Sequence, residues 1–354
     1  MIKSELKKAS IVICAFNEER TISQSITSLI NQNLPKENFE ILVIDDESTD
    51  STPKIVKKII EKEPDVKIQY LKIRHAGLSV ARNTGIMASN YNFVGFIDGD
   101  AKADKDWVAN MLNKFDDNDI SIVGGNVENL NLYDSKFSDL IHKLHFKASL
   151  MIGKSKITGT NMFFKKEVFS NNNYFLDTFT ARGDESYVVA NYFKKNKDKK
   201  EAYAKNAIVY NEHPIEIRQW LKQQYIEGRC GYRISRILYQ LTLKKIIDSM
   251  FRFMTIMFFP ILASCFIFDI DPLIMSLLFL FLAVRLLYRY KYFSYGINNI
   301  KNLGFIQTTK GLFLLIIGTV ISDFGNIYEI IFGKRKNLLN VSTTKIIEEL
   351  STNN

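Results

Sequence analysis

Asp98-Gly99-Asp100 directly follows an apolar run, Asn92–Ile97 (NFVGFI). Two carboxylates one residue apart present hard oxygen ligands to a divalent cation. Mg2+ or Mn2+ held by so few protein groups keeps positions open for substrate phosphates. The glycine between the acids permits close backbone approach. Asp45-Asp46-Glu47-Ser48-Thr49-Asp50 follows a second apolar run, Phe39–Ile44 (FEILVI), and Ala15-Phe16-Asn17-Glu18-Glu19 follows a third, Ser10–Cys14 (SIVIC). Taken singly, such groups are turn and helix-cap chemistry. If the three runs are strands of one sheet, the groups converge on one crevice.

The elements that carry them alternate in type. Between the strands Ser10–Cys14 and Phe39–Ile44, Glu18–Asn31 places Ile22, Ile26, Leu29 and Ile30 at helical spacing. Ser51-Thr52-Pro53 is a helix start, with proline tolerated in the first turn, and Ile55, Val56, Ile59 and Ile60 form that helix's stripe. Val66–Ile73 reads as a third strand, Leu78–Ala88 as a helix and Asn92–Ile97 as a fourth strand. Apolar strands alternating with helices predict a mostly parallel α/β sheet covered on both faces. Such sheets bind ligands outside the carboxyl ends of their strands, where the three acidic groups fall.

The 354 residues are 46% hydrophobic and 24% charged, a globular composition that excludes a disordered chain. Cys14, Cys230 and Cys265 lie far apart and make neither a disulfide framework nor a Cys-rich zinc site. A net charge of +9 points to an anionic partner: nucleic acid, a membrane face or a phosphorylated substrate. The composition shifts near Ile246. Residues 249–268 and 272–288 are apolar stretches of near-bilayer length with Asp269 and Asp271 between them, and 311–332 is a third hydrophobic segment. The expectation is a catalytic domain over 1–240 and a membrane region over 241–354. The first two stretches form a hairpin of transmembrane helices, and the third is re-entrant or lies in the interface. The charged start, MIKSELKKAS, leads straight into a strand and shows no signal-peptide pattern.

Together these motifs resemble the family 2 glycosyltransferases, whose domain has the GT-A fold. The family's opening turn is matched by Ala15-Phe16-Asn17-Glu18, with Cys14 where proline is common. Its V-x-D-D-x-S-x-D-x-T is matched by Val43 through Thr52, its G-x-x-x-A-R-N-x-G by Gly77 through Gly85, and its DxD by Asp98 to Asp100. The resemblance covers roughly residues 8–235. It implies inverting transfer from a nucleoside diphosphate-sugar, with a UDP-sugar as the expected donor, and no nucleic-acid partner. Ala15, Asn17, Glu18, Asp45, Asp46, Gly77, Arg82, Asn83 and Asp98 would be donor-binding. Asp45 or Asp46 would hold the base and ribose, and Arg82 would lie near the diphosphate. Asp100 would bind the Mg2+ or Mn2+, with Asp98 on the metal or the ribose. The acidic pair that supplies the catalytic base corresponds to Asp184-Glu185, which places Glu185 as the base; a one-residue shift would make it Asp184. Gly159 and Asn161, at the end of an expected strand, match the acceptor-side segment, and His213 after the last strand is a further metal candidate. The Q-x-x-R-W of processive members is absent from Gln223–Arg229, which implies transfer of one sugar per encounter.

The expected protein is therefore a multi-pass cell-membrane glycosyltransferase with its catalytic domain in the cytoplasm. Its acceptor would be lipid-linked or a glycan, and membrane lipids would be partners. A polyprenyl-phosphate sugar synthase is the alternative within the class. A non-catalytic membrane scaffold and a nucleotidyltransferase are alternatives outside it, although Ala15–Arg20 lacks the Gly-rich phosphate loop that the latter needs.

Overall fold

A computed structural model describes residues 7–130, 135–143, 157–176 and 184–238, with 314, 317–325 and 328. They fall into two compact units: 7–130, 157–176 and 184–212 in the first, and 135–143, 213–238 and the described residues from 314 onward in the second.

The first unit is built on an eight-stranded sheet. Its strands are β1 (Ala9–Ala15), β2 (Phe39–Asp45), β3 (Ile68–Lys72), β4 (Phe93–Asp98), β5 (Ala101–Ala103), β6 (Ile120–Asn129), β7 (Met162–Lys165) and β8 (Lys200–Asn211), in the order β3-β2-β1-β4-β7-β6-β8-β5. The run β3-β2-β1-β4 is parallel, as is β6-β8. β7 pairs antiparallel with both β4 and β6, and β5 pairs antiparallel with β8. Both faces of β1, β2 and β4 are covered, so these strands are mainly apolar rather than alternating, whereas the edge strand β3 exposes Gln69 and Lys72. Ile11 and Ile13 of β1 enter one core with Ile22, Ile26 and Leu29 of α1 (Ile22–Ile30) and Val56 of α2 (Thr52–Lys62). Val12, between them, enters the other core with Val80, Ala81 and Ile86 of α3 (Leu78–Ala88). α4 (Trp107–Leu112) follows β5. α6 (Asp184–Lys195) directly precedes β8 in the described chain.

The second unit contains α5 (Lys136–Ile141) and α7 (Ile217–Leu238). In it, Nδ1 of His142 lies 2.9 Å from Nε2 of His213, and the Arg229 guanidinium lies over the rings of Tyr225 and Tyr328.

Three expectations are corrected. α1 starts at Ile22, not Glu18: Asn17 is left-handed (φ 59), and the Glu18 carbonyl accepts from the amides of Thr21 and Ile22 in a turn that precedes the helix. Gly159-Thr160-Asn161 precedes a strand rather than ending one: Thr158 and Asn161 form an isolated bridge, and β7 begins at Met162. The multi-pass membrane location is also overturned, since among the described residues no helix is long and apolar enough to cross a membrane. Residues 249–268 and 272–288, and most of 311–332, lie outside the described residues.

Candidate active site

The parallel register brings the ends of β1, β2 and β4 level: Ala15 pairs with Asp45, and Cys14 pairs with both Ile44 and Asp98. The segments that follow are knitted by side chain to backbone bonds. Asn17 sits in the left-handed region (φ 59) and accepts from the Thr49 amide through Oδ1 at 2.9 Å. The Asp46 amide donates to the Ala15 carbonyl at 2.9 Å. Asp45 is fully buried; its carboxylate accepts from the Ser48 amide at 2.9 Å and from the Tyr70 hydroxyl. Asp46 accepts from the amides of Ala76 at 2.8 Å and Gly77 at 3.0 Å, and its Oδ2 is 3.0 Å from His75 Nδ1. Gly77, at φ 94, turns the chain into α3, a conformation that glycine adopts without strain. Thus Asp46 positions the loop that opens α3, and Asp45 is locked beneath it.

These segments bound a crevice of about 650 Å³ lined by Phe16, Asp46, His75, Gly77, Asp98 and Asp100, among others. Glu18 and Asp100 also line an adjoining crevice of about 530 Å³ together with Glu212. Burial, with the charges of Asp98 and Glu18, pushes the Asp100 carboxyl up to about 7. Burial likewise raises Glu18, against the bond that it accepts from Thr21. Crowded carboxylates that resist ionisation suit a hard divalent cation, which would supply the missing counter-charge. Among the described residues no cage of three or more His, Cys, Asp or Glu forms. Asp98 and Asp100 would therefore leave most of a cation's shell to substrate oxygens.

Arg82 of α3 is 3% exposed, and its guanidinium joins the two acidic motifs. Nη1 donates to Asp184 Oδ1 at 2.5 Å, Nη2 donates to the Gly159 carbonyl at 3.0 Å, and Nη2 lies 3.6 Å from Asp98 Oδ1. The Phe175 ring is 5.5 Å from its central carbon. Burial works against the guanidinium's charge, but Asp184 and Asp98 outweigh it and hold the group above its ordinary value. Asp184, at the start of α6, is 1% exposed and also accepts from Ser79 Oγ at 3.0 Å and the Glu185 amide at 3.1 Å. Glu185 is partly buried; burial and then the Asp184 charge push it up to about 8. A carboxylate poised near the working pH is suited to proton removal.

Other sequence candidates are committed to the fold. Asn83 is fully buried and makes a reciprocal pair with the Phe175 backbone, donating at 2.8 Å and accepting at 3.0 Å. The Asn161 amide donates to the carbonyls of Asn126 at 2.7 Å and Ala207 at 3.1 Å, and accepts from the Trp107 indole at 2.8 Å. His213 belongs to the second unit and meets His142 there. Sequence reasoning passed over Phe16, which is 45% exposed with its ring 4.6 Å from that of His75. An aromatic side chain in a polar turn was its signal. It also passed over Ser79 and Tyr70, whose acidic partners lie 105 and 25 residues away and leave no local trace.

Comparison with known proteins agrees with this geometry. Residues 10–171 match the model of Glycosyl transferase family 2. The chain is similar to glycosyltransferase AglE of Haloferax volcanii, at 30% identity over 35% of this chain and 41% of the relative. It is also similar to the poly(ribitol-phosphate) beta-glucosyltransferase of Bacillus spizizenii, at 32% identity over 35% of this chain and 20% of the relative. The chain thus spans less than half the length of these curated relatives. The fold resembles that of mannosyltransferase PcManGT from Pyrobaculum calidifontis, solved with GDP-Man and Mn2+, with a TM-score of 0.59 at 14% identity over 93% of this chain and 88% of that one. Residues 10–171 thus form a domain of the family 2 glycosyltransferase type.

Proposed function

We propose that the chain transfers one sugar, with inversion, from a nucleoside diphosphate-sugar to a hydroxyl of a glycan or polyol acceptor, with a UDP-sugar as the first donor to test. The observation that carries this reading is the ion-pair chain from half-buried Asp98 through buried Arg82 to buried Asp184, which links the DxD turn to the helix start that bears Glu185. The names of two similar proteins, a poly(ribitol-phosphate) glucosyltransferase and a mannosyltransferase solved with GDP-Man and Mn2+, support the substrate class.

In this reading the exposed face of Phe16, braced by His75, is a platform for the nucleobase, as aromatic rings are for bases generally. Asp98 and Asp100 are the residues that would hold Mg2+ or Mn2+. When bound, the cation neutralises the charge that develops on the leaving diphosphate. Glu185 takes the acceptor hydroxyl proton as the acceptor oxygen bonds to the anomeric carbon. The bond from that carbon to the diphosphate breaks, and its electron pair leaves with the nucleoside diphosphate. The buried setting keeps Glu185 basic enough for this role at neutral to mildly alkaline pH.

The test pairs thermal shift with a donor-hydrolysis screen of UDP-, GDP- and dTDP-sugars in Mn2+ or Mg2+. Stabilisation by one nucleoside diphosphate, and its release from the matching sugar donor, is expected. No stabilisation and no turnover of any donor would overturn the reading.

A further inference from the structure

Asp184 stands in the acidic pair at the start of α6, yet its geometry differs from that of a base. Its carboxylate is 1% exposed and already accepts from Ser79 Oγ, Arg82 Nη1 and the Glu185 amide. A carboxylate saturated with donors is a poor proton acceptor. Arg82 is held equally firmly: Asp184 takes one terminal nitrogen, the Gly159 carbonyl takes the other, and the Phe175 ring lies 5.5 Å from the guanidinium carbon. Asp98, whose side chain is 35% exposed, lies 3.6 Å from Nη2, at ion-pair distance but beyond a hydrogen bond.

We infer that Asp184, with Ser79, is a positioning residue that acts through Arg82 on Asp98, holding the guanidinium back so that the Asp98 carboxylate stays available to a divalent cation. The sign follows from the distances. An Arg82 that loses its 2.5 Å partner has one strong acceptor left within reach, Asp98. Closing the 3.6 Å gap would turn a distant ion pair into a charge-assisted hydrogen bond that competes with the metal. This inference rests on the proposed donor and metal site, and the experiment separates the two.

Mn2+ is titrated calorimetrically into the full chain with saturating UDP or GDP. If the unmutated chain binds no Mn2+ with either nucleotide, the proposed function fails and takes this inference with it. Given binding, Asp184→Asn is expected to weaken Mn2+ by about tenfold, a usual coupling between touching groups. Ser79→Ala, which removes one hydroxyl and leaves the ion pair's own atoms in place, is expected to weaken it in the same direction by about two- to threefold, with an unchanged melting temperature as the check on folding. In an Arg82→Gln background, Asp184→Asn should add less than about twofold, because the intermediary is gone. The rise of kcat/KM with pH should survive in Asp184→Asn but move to lower pH, because the Asp184 charge that helps raise Glu185 is gone. Unchanged Mn2+ affinity in both Asp184→Asn and Ser79→Ala would overturn the inference; a transfer rate in Asp184→Asn that is abolished and flat from pH 5 to 9 would overturn it and make Asp184 the base.

Discussion

Glu185→Gln separates a base from a bystander. In the free protein, burial and the adjacent Asp184 push Glu185 up to about 8. A carboxyl with that value is about one-tenth ionised at pH 7 and about nine-tenths ionised at pH 9. If the ionised form removes the acceptor proton, kcat/KM, which reports the free enzyme, should rise up to about tenfold between pH 7 and 9 and then level. Glu185→Gln should flatten this rise and slow transfer by about 10²–10⁴-fold while donor binding holds. The same shift has a stability arm. The folded pKa lies above the ordinary 4.5, so the native state binds more protons than the unfolded chain across that interval, and stability falls as pH rises from about 4.5 to 8. Gln cannot ionise, so the variant should gain on the unmutated chain over that window, by about 1–3 kcal/mol at pH 8 after allowance for partial exposure. The assays are nucleoside diphosphate release from pH 6 to 9.5 and urea unfolding at pH 5 and pH 8. A flat pH profile in the unmutated chain, or an intact rise in Glu185→Gln, would refute the assignment.

Three further outcomes are expected. Asp100→Ala, or excess EDTA on the unmutated chain, should cost about 10³-fold or more in transfer, and undiminished activity in either case counts against a metal-held diphosphate. Phe16→Ala should weaken nucleoside diphosphate binding by about 1–3 kcal/mol in calorimetry, the usual loss of a base-stacking ring, with the melting temperature little changed because the ring is half exposed. A Cβ on Gly125 would meet the Asn161 amide and lie 2.6 Å from the Ala207 carbonyl oxygen, so Gly125→Ala should destabilise the fold by about 1–3 kcal/mol in urea unfolding.

The parallel core was legible because its signal is local. Ser10–Cys14 and Phe39–Ile44 are runs of β-branched and apolar residues, and the observed strands extend them by a residue or two. Leu78–Ala88 was legible at both ends, since Gly77 supplies the turn before it. The acidic motifs could be placed for the same reason: each closes a strand. What could not be read is set by long-range pairing. Asn161 looks like a turn residue, but its amide joins Asn126, Ala207 and Trp107, the last 54 residues away. Arg82 looks like a helix-surface charge, and only the fold brings Asp184 to it across 102 residues. The premature start for α1 has the same origin, because the left-handed turn at Asn17 that delays it is held by the amides of Thr49 and Asp50.

The α3 helix holds the described chain on both sides of residues 177–183. Asn83 grips the Phe175 backbone with two bonds, and Ser79 and Arg82 grip Asp184 one turn away along the same helix. The backbone of Phe175 and the carboxylate of Asp184 are therefore both placed by one short stretch of α3. Within the α3 turn from Ser79 to Asn83, a one-residue insertion would rotate one grip by about 100° relative to the other. The Phe175 backbone and the Asp184 carboxylate would then no longer meet the same side of the helix, so this turn should tolerate no change of length.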